Sequence, residues 1–368
     1  MLTLTEGRGF VSQRERFKKR LATEDTSNYK VVRKHDVAFN PYLLWAGAIA
    51  QNVDWDEAII SPAYPTFRIR KGFDPRYVDR LIGSGPMILA YDGISFGSVP
   101  RRRRSTVEDF LNLPVVVPKR QQEQKRIAAI LDKADEIRRK RKKALRLTDD
   151  FLRSVFLDMF GAPESNGWTM TTVEGLALPE KGSMRTGPFG SQLLHSEFVD
   201  SGIAVLGIDN AVTNQFAWAK PRFITEEKYA ELERYTVRPG DVLITIMGTC
   251  GRCAVVPDDI PTSINTKHLC CITLDHNKCL PDFLHAYFLL HPIARRYLAL
   301  HSKGAIMDGL NMGIIKGLPV PEAPMTLQRE FSRLVNKRSA TTTRLFTQSD
   351  EADDLFDSLQ QRAFRGEL

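Results

Sequence analysis

The feature that most constrains this chain is that it repeats itself at a period of about 204 residues. The stretch Tyr29 to Phe39, YKVVRKHDVAF, matches YTVRPGDVLIT from Tyr235 to Thr245. Each reads as a turn carrying Asp36 or Asp241, followed by an apolar strand. Further along, Ile59–Tyr64 lines up with Ser263–His268, and Asn112–Pro118 with Lys316–Pro321. Gln124 and Gln328, Ser154 and Ser358, and Phe160 and Phe364 each stand 204 apart. Matches in one order at nearly one offset predict a duplication, so the chain should fold twice in the same way. The copies are unequal. Met1 already aligns near Leu206, so 162–205 lacks a counterpart and the first copy is short by about 45 residues. Either the chain starts at an internal codon or that strand-rich piece is dispensable.

Each copy has one plan. Short apolar strands such as Asp241–Ile246 and Leu269–Leu274 come first. A helix from Pro281 to Leu290 follows, with proline suited to its first turn. A proline-bounded strand, Val115–Val117 or Leu318–Val320, closes the globular part. A long helix ends each copy, at 121–160 and 327–364, each about 60 Å long at 1.5 Å per residue. Apolar residues spaced three and four apart predict an antiparallel coiled-coil pair. The expected seam sets Ile130, Ile137, Leu145, Leu152 and Val155 against Phe331, Leu334, Leu345 and Leu355. The expected fold is α+β, with two β-rich domains separated by the helices and a pseudo-twofold internal repeat. Its divisions are 1–118, 119–161, 162–322 and 323–368, with globular ends held apart by a helical bar.

Charge narrows the partner. The chain has 368 residues and a net charge of +8. Lys119–Leu147 alone holds twelve basic and four acidic residues, which accounts for the whole excess. Arg101, Arg102, Arg103 and Arg104 stand just upstream. Such a concentration suits a polyanion, nucleic acid first, or a solvated helix face. No run of eighteen apolar residues and no secretory signal is present, so no membrane span and a cytoplasmic setting are expected.

Enzyme motifs are absent. There is no HExxH, Walker A, GxGxxG or G-x-S-x-G, and no Asn-Pro-Pro-Tyr motif, since Asn40-Pro-Tyr-Leu lacks the second proline. Cys250, Cys253, Cys270, Cys271 and Cys279 loosely resemble a zinc ribbon. However, Cys270-Cys271 falls inside a predicted strand, where neighbours face opposite ways, so small buried hydrophobes are the better reading. No metal or catalytic residue is assigned. Loops suited to nucleic acid stand out instead. Lys181, Ser183, Arg185, Thr186, Gly187, Phe189 and Ser191 offer amides, hydroxyls and cations in one Gly/Pro-rich stretch. Thr249 and Arg252 fall in a glycine-rich turn. Asn40, Tyr42, Trp45, Ser61 and Tyr64 in the first copy, and Asn265, Lys267 and His268 in the second, supply polar and aromatic groups near turns. Asparagine pairs with adenine, and lysine or arginine with guanine. An ordinary strand connection or core aromatic is the alternative at each.

Taken together, the chain resembles the specificity subunit of type I restriction-modification systems over nearly its whole length. The most specific stretches are Leu113-Pro-Val-Val-Val-Pro followed by EQKRIAAILD at 123–132, and LQQRAFRGEL at 359–368. TGPFGSQL at 186–193 and VRPGDVL at 237–243 are also typical. The resemblance implies two target-recognition domains, each reading half of a bipartite double-stranded DNA site. It further implies two helices that dock two modification (methyltransferase) subunits, with restriction/translocase subunits in the same complex. This chain would bind no cofactor. S-adenosylmethionine, ATP and Mg2+ would sit on the partners. The family pattern begins with a complete first domain, so the resemblance implies either that recognition of the first half-site is lost here or that another chain supplies the missing piece. A coiled-coil scaffold without sequence readout, or a degenerate relative, is the alternative.

Overall fold

In the computed structural model the described residues are 1–13, 26–99, 103–301 and 309–368, the side chains at 339–344, 346 and 347 excepted. Contacts divide the chain into two units. One is Met1–Ala144 with Leu345–Leu368, and the other is Leu145–Arg344. Each takes part of both long helices.

The first unit opens with a hairpin of β1 (Leu2–Thr5) and β2 (Gly9–Ser12). Strand β3 (Lys30–Arg33), β4 (Val37–Phe39), β5 (Ile49–Gln51), β6 (Glu57–Ile60) and β7 (Thr66–Phe67) follow. They form an antiparallel β3–β6 pair and a three-stranded sheet in the order β5-β4-β7. Helices α1 (Pro75–Ile82), α2 (Gly85–Gly93) and α3 (Val107–Leu111) cover them. Asp74 caps α1, its carboxylate accepting the amides of Arg76 and Tyr77, and Pro75 takes the first turn, where no amide is needed.

Helix α4 (Gln121–Phe160) has neither proline nor glycine in forty residues. It stops at Gly161, where a Cβ would lie 2.3 Å from the Leu157 carbonyl. The second unit continues with β8 (Met170–Thr172), α5 (Val173–Leu176), β9 (Met184–Thr186), β10 (Ile203–Leu206), β11 (Phe223–Ile224) and α6 (Glu226–Leu232). Then come β12 (Val242–Thr245), β13 (Cys253–Val255), β14 (Ser263–Asn265), β15 (Leu269–Ile272), α7 (Pro281–Leu290), α8 (Pro292–His301), α9 (Met312–Lys316) and β16 (Pro319–Pro321). Its sheets run β13-β12-β15-β9, β11-β10-β14 and β16-β8. The last helix, α10 (Met325–Arg365), follows Pro324 and ends at Gly366, whose φ of 79° lets the Glu367 amide reach back to the Arg362 carbonyl.

Within each unit the two long helices meet with opposite chain direction. In the first, Ile127 and Leu131 share a core with Ala363 and Phe364, while Arg138 lies 4.3 Å over the Phe356 ring and Lys142 pairs with Asp353 at 2.8 Å. In the second, Phe156 and Phe160 pack on Phe331 at 5.3 and 5.8 Å, and Asp149 pairs with Arg338. The expected seam needs correction in its middle. Ile137 is 38% exposed and Leu355 55% exposed. The buried stripe runs through Ile127, Leu131, Ala134 and the half-buried Arg138, so Ile130 and Ile137 sit one position, about 100°, off its centre. Leu345, Leu152, Val155 and Leu334 are half-buried.

Certain arrangements occur in both units. Gln124 Oε1 accepts the Asp74 amide at 2.8 Å, and its Nε2 donates to the carbonyls of Pro118 (2.8 Å) and Gly72 (3.5 Å). Gln328 does the same to the Leu280 amide (2.9 Å) and the carbonyls of Ala323 (2.8 Å) and Lys278 (3.1 Å). Both glutamines are buried and tie the start of a long helix to the N-cap of a proline-started one. Ahead of β4, Asp36 accepts the Arg33 amide at 2.9 Å after a positive φ at His35; ahead of β12, Asp241 accepts the Arg238 amide at 2.9 Å after a positive φ at Gly240. Val115–Val117, expected as a strand, is not one. Pro319–Pro321 is, because β8 pairs with it, whereas Val115–Val117 has no strand partner among the described residues.

Candidate nucleic-acid interface

In the second unit three loops converge at one end of the β12–β15–β9 ladder. Thr186 faces Cys270 across the ladder, and the Gly187 amide donates to the Thr266 carbonyl at 3.3 Å. A side chain at 187 would lie 1.9 Å from the Asn265 carbonyl, so only glycine permits the approach. The Ile246 amide donates to the His268 carbonyl at 2.9 Å, bringing in the turn between β12 and β13. There the Thr245 hydroxyl donates to the Thr249 carbonyl at 2.5 Å and accepts the Arg252 amide at 2.9 Å. Phe189, Ser191, Thr249 and Arg252 are exposed on these loops, with Lys267 and His268 half-buried between them. Burial first, then the positive charges of Lys267 and Arg222, holds the His268 imidazole below its ordinary value. The imidazole is therefore neutral at pH 7, with cations beside it.

Other expected site residues lie elsewhere. The stretch 181–191 is not one loop, because β9 runs through it. Lys181 and Ser183 sit at the far end of β9, where the Ser183 carbonyl accepts the Thr273 amide at 2.7 Å. Arg185 is turned inward, its guanidinium 2.7 Å from Asp241 and 3.0 Å from the Thr273 hydroxyl, with 9% of the side chain exposed. Asn265 is fully buried and donates to the Leu269 carbonyl at 3.1 Å. Both are buried and brace the loops from within. Arg222, paired with Asp209 at 2.5 Å, and the exposed Trp218 were not among the expected residues. The run FAWAKPR at 216–222, aromatics interleaved with cations, is the signal that points to them.

In the first unit Asn40 Oδ1 accepts the Tyr42 amide at 3.0 Å, and Trp45 donates its indole N–H to the Tyr42 carbonyl at 3.1 Å. Tyr42 is exposed, with Arg104 5.6 Å over its ring; Arg103 lies 5.1 Å over Trp45. Arg103 also pairs with Asp92 at 2.7 Å, leaving Arg104 the freer cation. Phe96, 68% exposed, bridges backbone to backbone with Arg104. Ser61 accepts the Ala63 amide, and the Tyr64 hydroxyl meets Thr3 at 3.3 Å beside the hairpin core. Arg101 and Arg102 lie outside the described residues.

Part of the basic stretch of α4 is answered by acids on the same helix. Arg126 pairs with Glu123, Lys133 and Lys140 with Glu136, and Arg138 and Arg139 with Asp135. Cys253, Cys270, Cys271 and Cys279 are buried, and burial pushes the Cys270 and Cys279 thiols up to about 12.

No family model matches the chain. The type I restriction enzyme EcoBI specificity subunit of Escherichia coli is 31% identical over 151 residues, a stretch covering 40% of this chain and 31% of that protein. A chain of a solved type I R-M system, from work on its complex assembly and conformational transition, superposes with a TM-score of 0.56 at 18% identity, over 94% of this chain and 85% of that one. The S subunit of a type I restriction-modification system from M. genitalium does so at 0.56 and 13%, over 94% and 87%. This chain is similar to type I specificity subunits in sequence and in fold. The sequence match spans about a third of the EcoBI subunit, and the structural matches extend the likeness of fold along nearly the whole chain.

Proposed function

We propose that the chain is the DNA-reading, non-catalytic subunit of a type I restriction-modification complex. The observation that carries this is the 31% identity with the EcoBI specificity subunit. The exposed cations and aromatics on the converging loops of 186–191, 249–252 and 266–268 support it, as does the Tyr42–Phe96–Arg104 patch. Cations and backbone amides there meet phosphates, and side chains such as Arg252 and His268 read base edges.

The reading continues with an ancient duplication. The matched bonding of Gln124 and Gln328, and of Asp36 and Asp241, supports two target-recognition domains built to one plan and reading a bipartite site. The long helices, meeting in antiparallel fashion within each unit, are then one coiled-coil pair on which two modification subunits dock, with restriction/translocase subunits beyond. S-adenosylmethionine, ATP and Mg2+ act on those partners. Among the described residues no helix is long and apolar enough to cross a membrane. A cytoplasmic setting belongs to the same proposal.

The test is to co-express the chain with its modification partner and sequence the methylome. A bipartite adenine motif is expected, with neither methylation nor cleavage by the chain alone. Salt-dependent binding indifferent to sequence would favour a scaffold instead.

A further inference from the structure

The second unit is closed along one flank by its own residues 169–186, and the matching flank of the first unit has no such cover among the described residues. In the second unit β8 pairs with Pro319–Pro321 and β9 with Cys270–Ile272. Between them the Thr273 amide donates to Ser183, its carbonyl accepts the Leu178 amide at 2.9 Å, and the Asp275 amide donates to Leu176 at 3.0 Å. Arg185 closes onto Asp241, and Glu180 stands 3.8 Å from Arg238.

A shift of 204–205 residues carries these positions to Val115–Val117, Thr66–Phe67, Arg68, Arg70, Asp36 and Arg33. Among the described residues, the amides of Val115–Val117, Arg68 and Arg70 have no backbone acceptor. Val116 is 58% exposed and Leu111, on α3, 62%. β7 is an edge strand. Asp36 is buried, yet among the described residues its second oxygen meets only Arg68, at 3.9 Å. Beside it lies a cleft of about 460 Å³ lined by Arg33, Asp36, Arg68, Ile69, Lys71 and Phe73. Unpaired strand edges next to exposed aliphatics are templates for an added strand.

We propose that the first unit accepts an added strand–helix–strand segment of the chemistry of residues 169–186. One strand pairs with Val115–Val117 and one with the free edge of β7. The helix covers Leu111, an arginine on the second strand reaches Asp36, and an acidic residue ahead of it faces Arg33. This rests on the correspondence of the two units and not on DNA reading.

Hydrogen exchange on the full chain tests it, alone and with a synthetic peptide of this chain's residues 166–190. The amides of Val115–Val117, Arg68 and Arg70 should exchange fast in the chain alone and become protected with the peptide. An Arg185→Ala peptide should bind about tenfold or more weakly, because a charged hydrogen bond is lost, and a scrambled peptide should not protect. Protection in the chain alone would mean the edge is already covered from within, and overturns the proposal. So would protection confined to Pro319–Pro321, or none. Protection that rises with chain concentration and tracks a dimer would make the occupant a second copy. Protection by duplex DNA alone would make the cleft a phosphate site. Either outcome contradicts the proposal, and loss of sequence-specific DNA binding would leave it untouched.

Discussion

The two units solve the same packing problem with different completeness. In the second, the carboxylate of Asp241 takes an arginine, a threonine hydroxyl, a thiol and a backbone amide. In the first, Asp36 takes one backbone amide and a distant guanidinium. The core differs likewise. At the long helices Phe156, Phe160, Phe283 and Phe331 form one aromatic cluster in the second unit, where the first has Tyr77 against Phe364 at 5.7 Å and keeps its larger cluster, Phe39, Phe67, Tyr91 and Phe110, on its sheet. The same turn and the same glutamine clamp therefore sit in a closed frame and in one without that cover among the described residues, and the difference isolates what residues 169–186 contribute.

The largest test of that contrast is the aspartate pair. Asp241→Ala leaves Arg185 buried without its partner and should cost the second unit about 3–5 kcal/mol. Asp36→Ala should cost the first about 1–2 kcal/mol, the loss of an amide bond to a carboxylate. Urea unfolding followed by hydrogen exchange in each unit reads both, and equal losses would break the contrast. The glutamines should behave alike instead. Gln124→Ala and Gln328→Ala each strip a buried amide and two carbonyls of their partner, at about 1–3 kcal/mol within the unit concerned. Unequal losses would count against one inherited plan.

Acid should separate the units more gently. Burial lowers the pKa of His285, which donates to the carbonyl of Asn214 or Cys253, and of His291, while the first unit holds only the exposed His35. A histidine held below its ordinary value binds its proton more readily when unfolded. The second unit should thus lose stability as pH falls below about 6.5, by at most about 1.4 kcal/mol per pH unit per histidine. Hydrogen exchange at pH 7 and pH 5.5 checks this, and a first unit that weakens as much would contradict it. The smallest effect is expected at Arg104. Arg104→Ala should weaken binding to all duplexes and flatten the salt dependence by about 0.9 in slope, one phosphate contact, without changing sequence choice.

Much of this was legible in the sequence, for reasons that particular residues make plain. The stretch 119–160, without proline or glycine and bounded by Pro118 and Gly161, reads as a helix because nothing in it interrupts the ladder. The seam was legible only at its ends. Large aromatics such as Phe156 and Phe331 must be buried, but at the centre Ala134, Ala352 and the Arg138–Phe356 contact displace Ile137 and Leu355, and hydrophobicity ranks them wrongly. Val115–Val117 has strand composition without a partner, and pairing is a property of two segments. Arg185 and Asn265 looked like readers because type alone does not tell a buried clamp from an exposed contact. Arg222 and Trp218 went unseen because they lie outside any repeat match.

The central claim is that each unit reads its own half of one DNA target. The most direct measurement is methylome sequencing of a strain expressing the chain and its modification partner, wild type against Arg252→Ala with His268→Ala. The account predicts a bipartite adenine motif whose one half loses base preference, by about 1–3 kcal/mol per lost contact, while the other half and the spacer stay as they were. A motif that changes in both halves, or methylation with no bipartite motif, would contradict it.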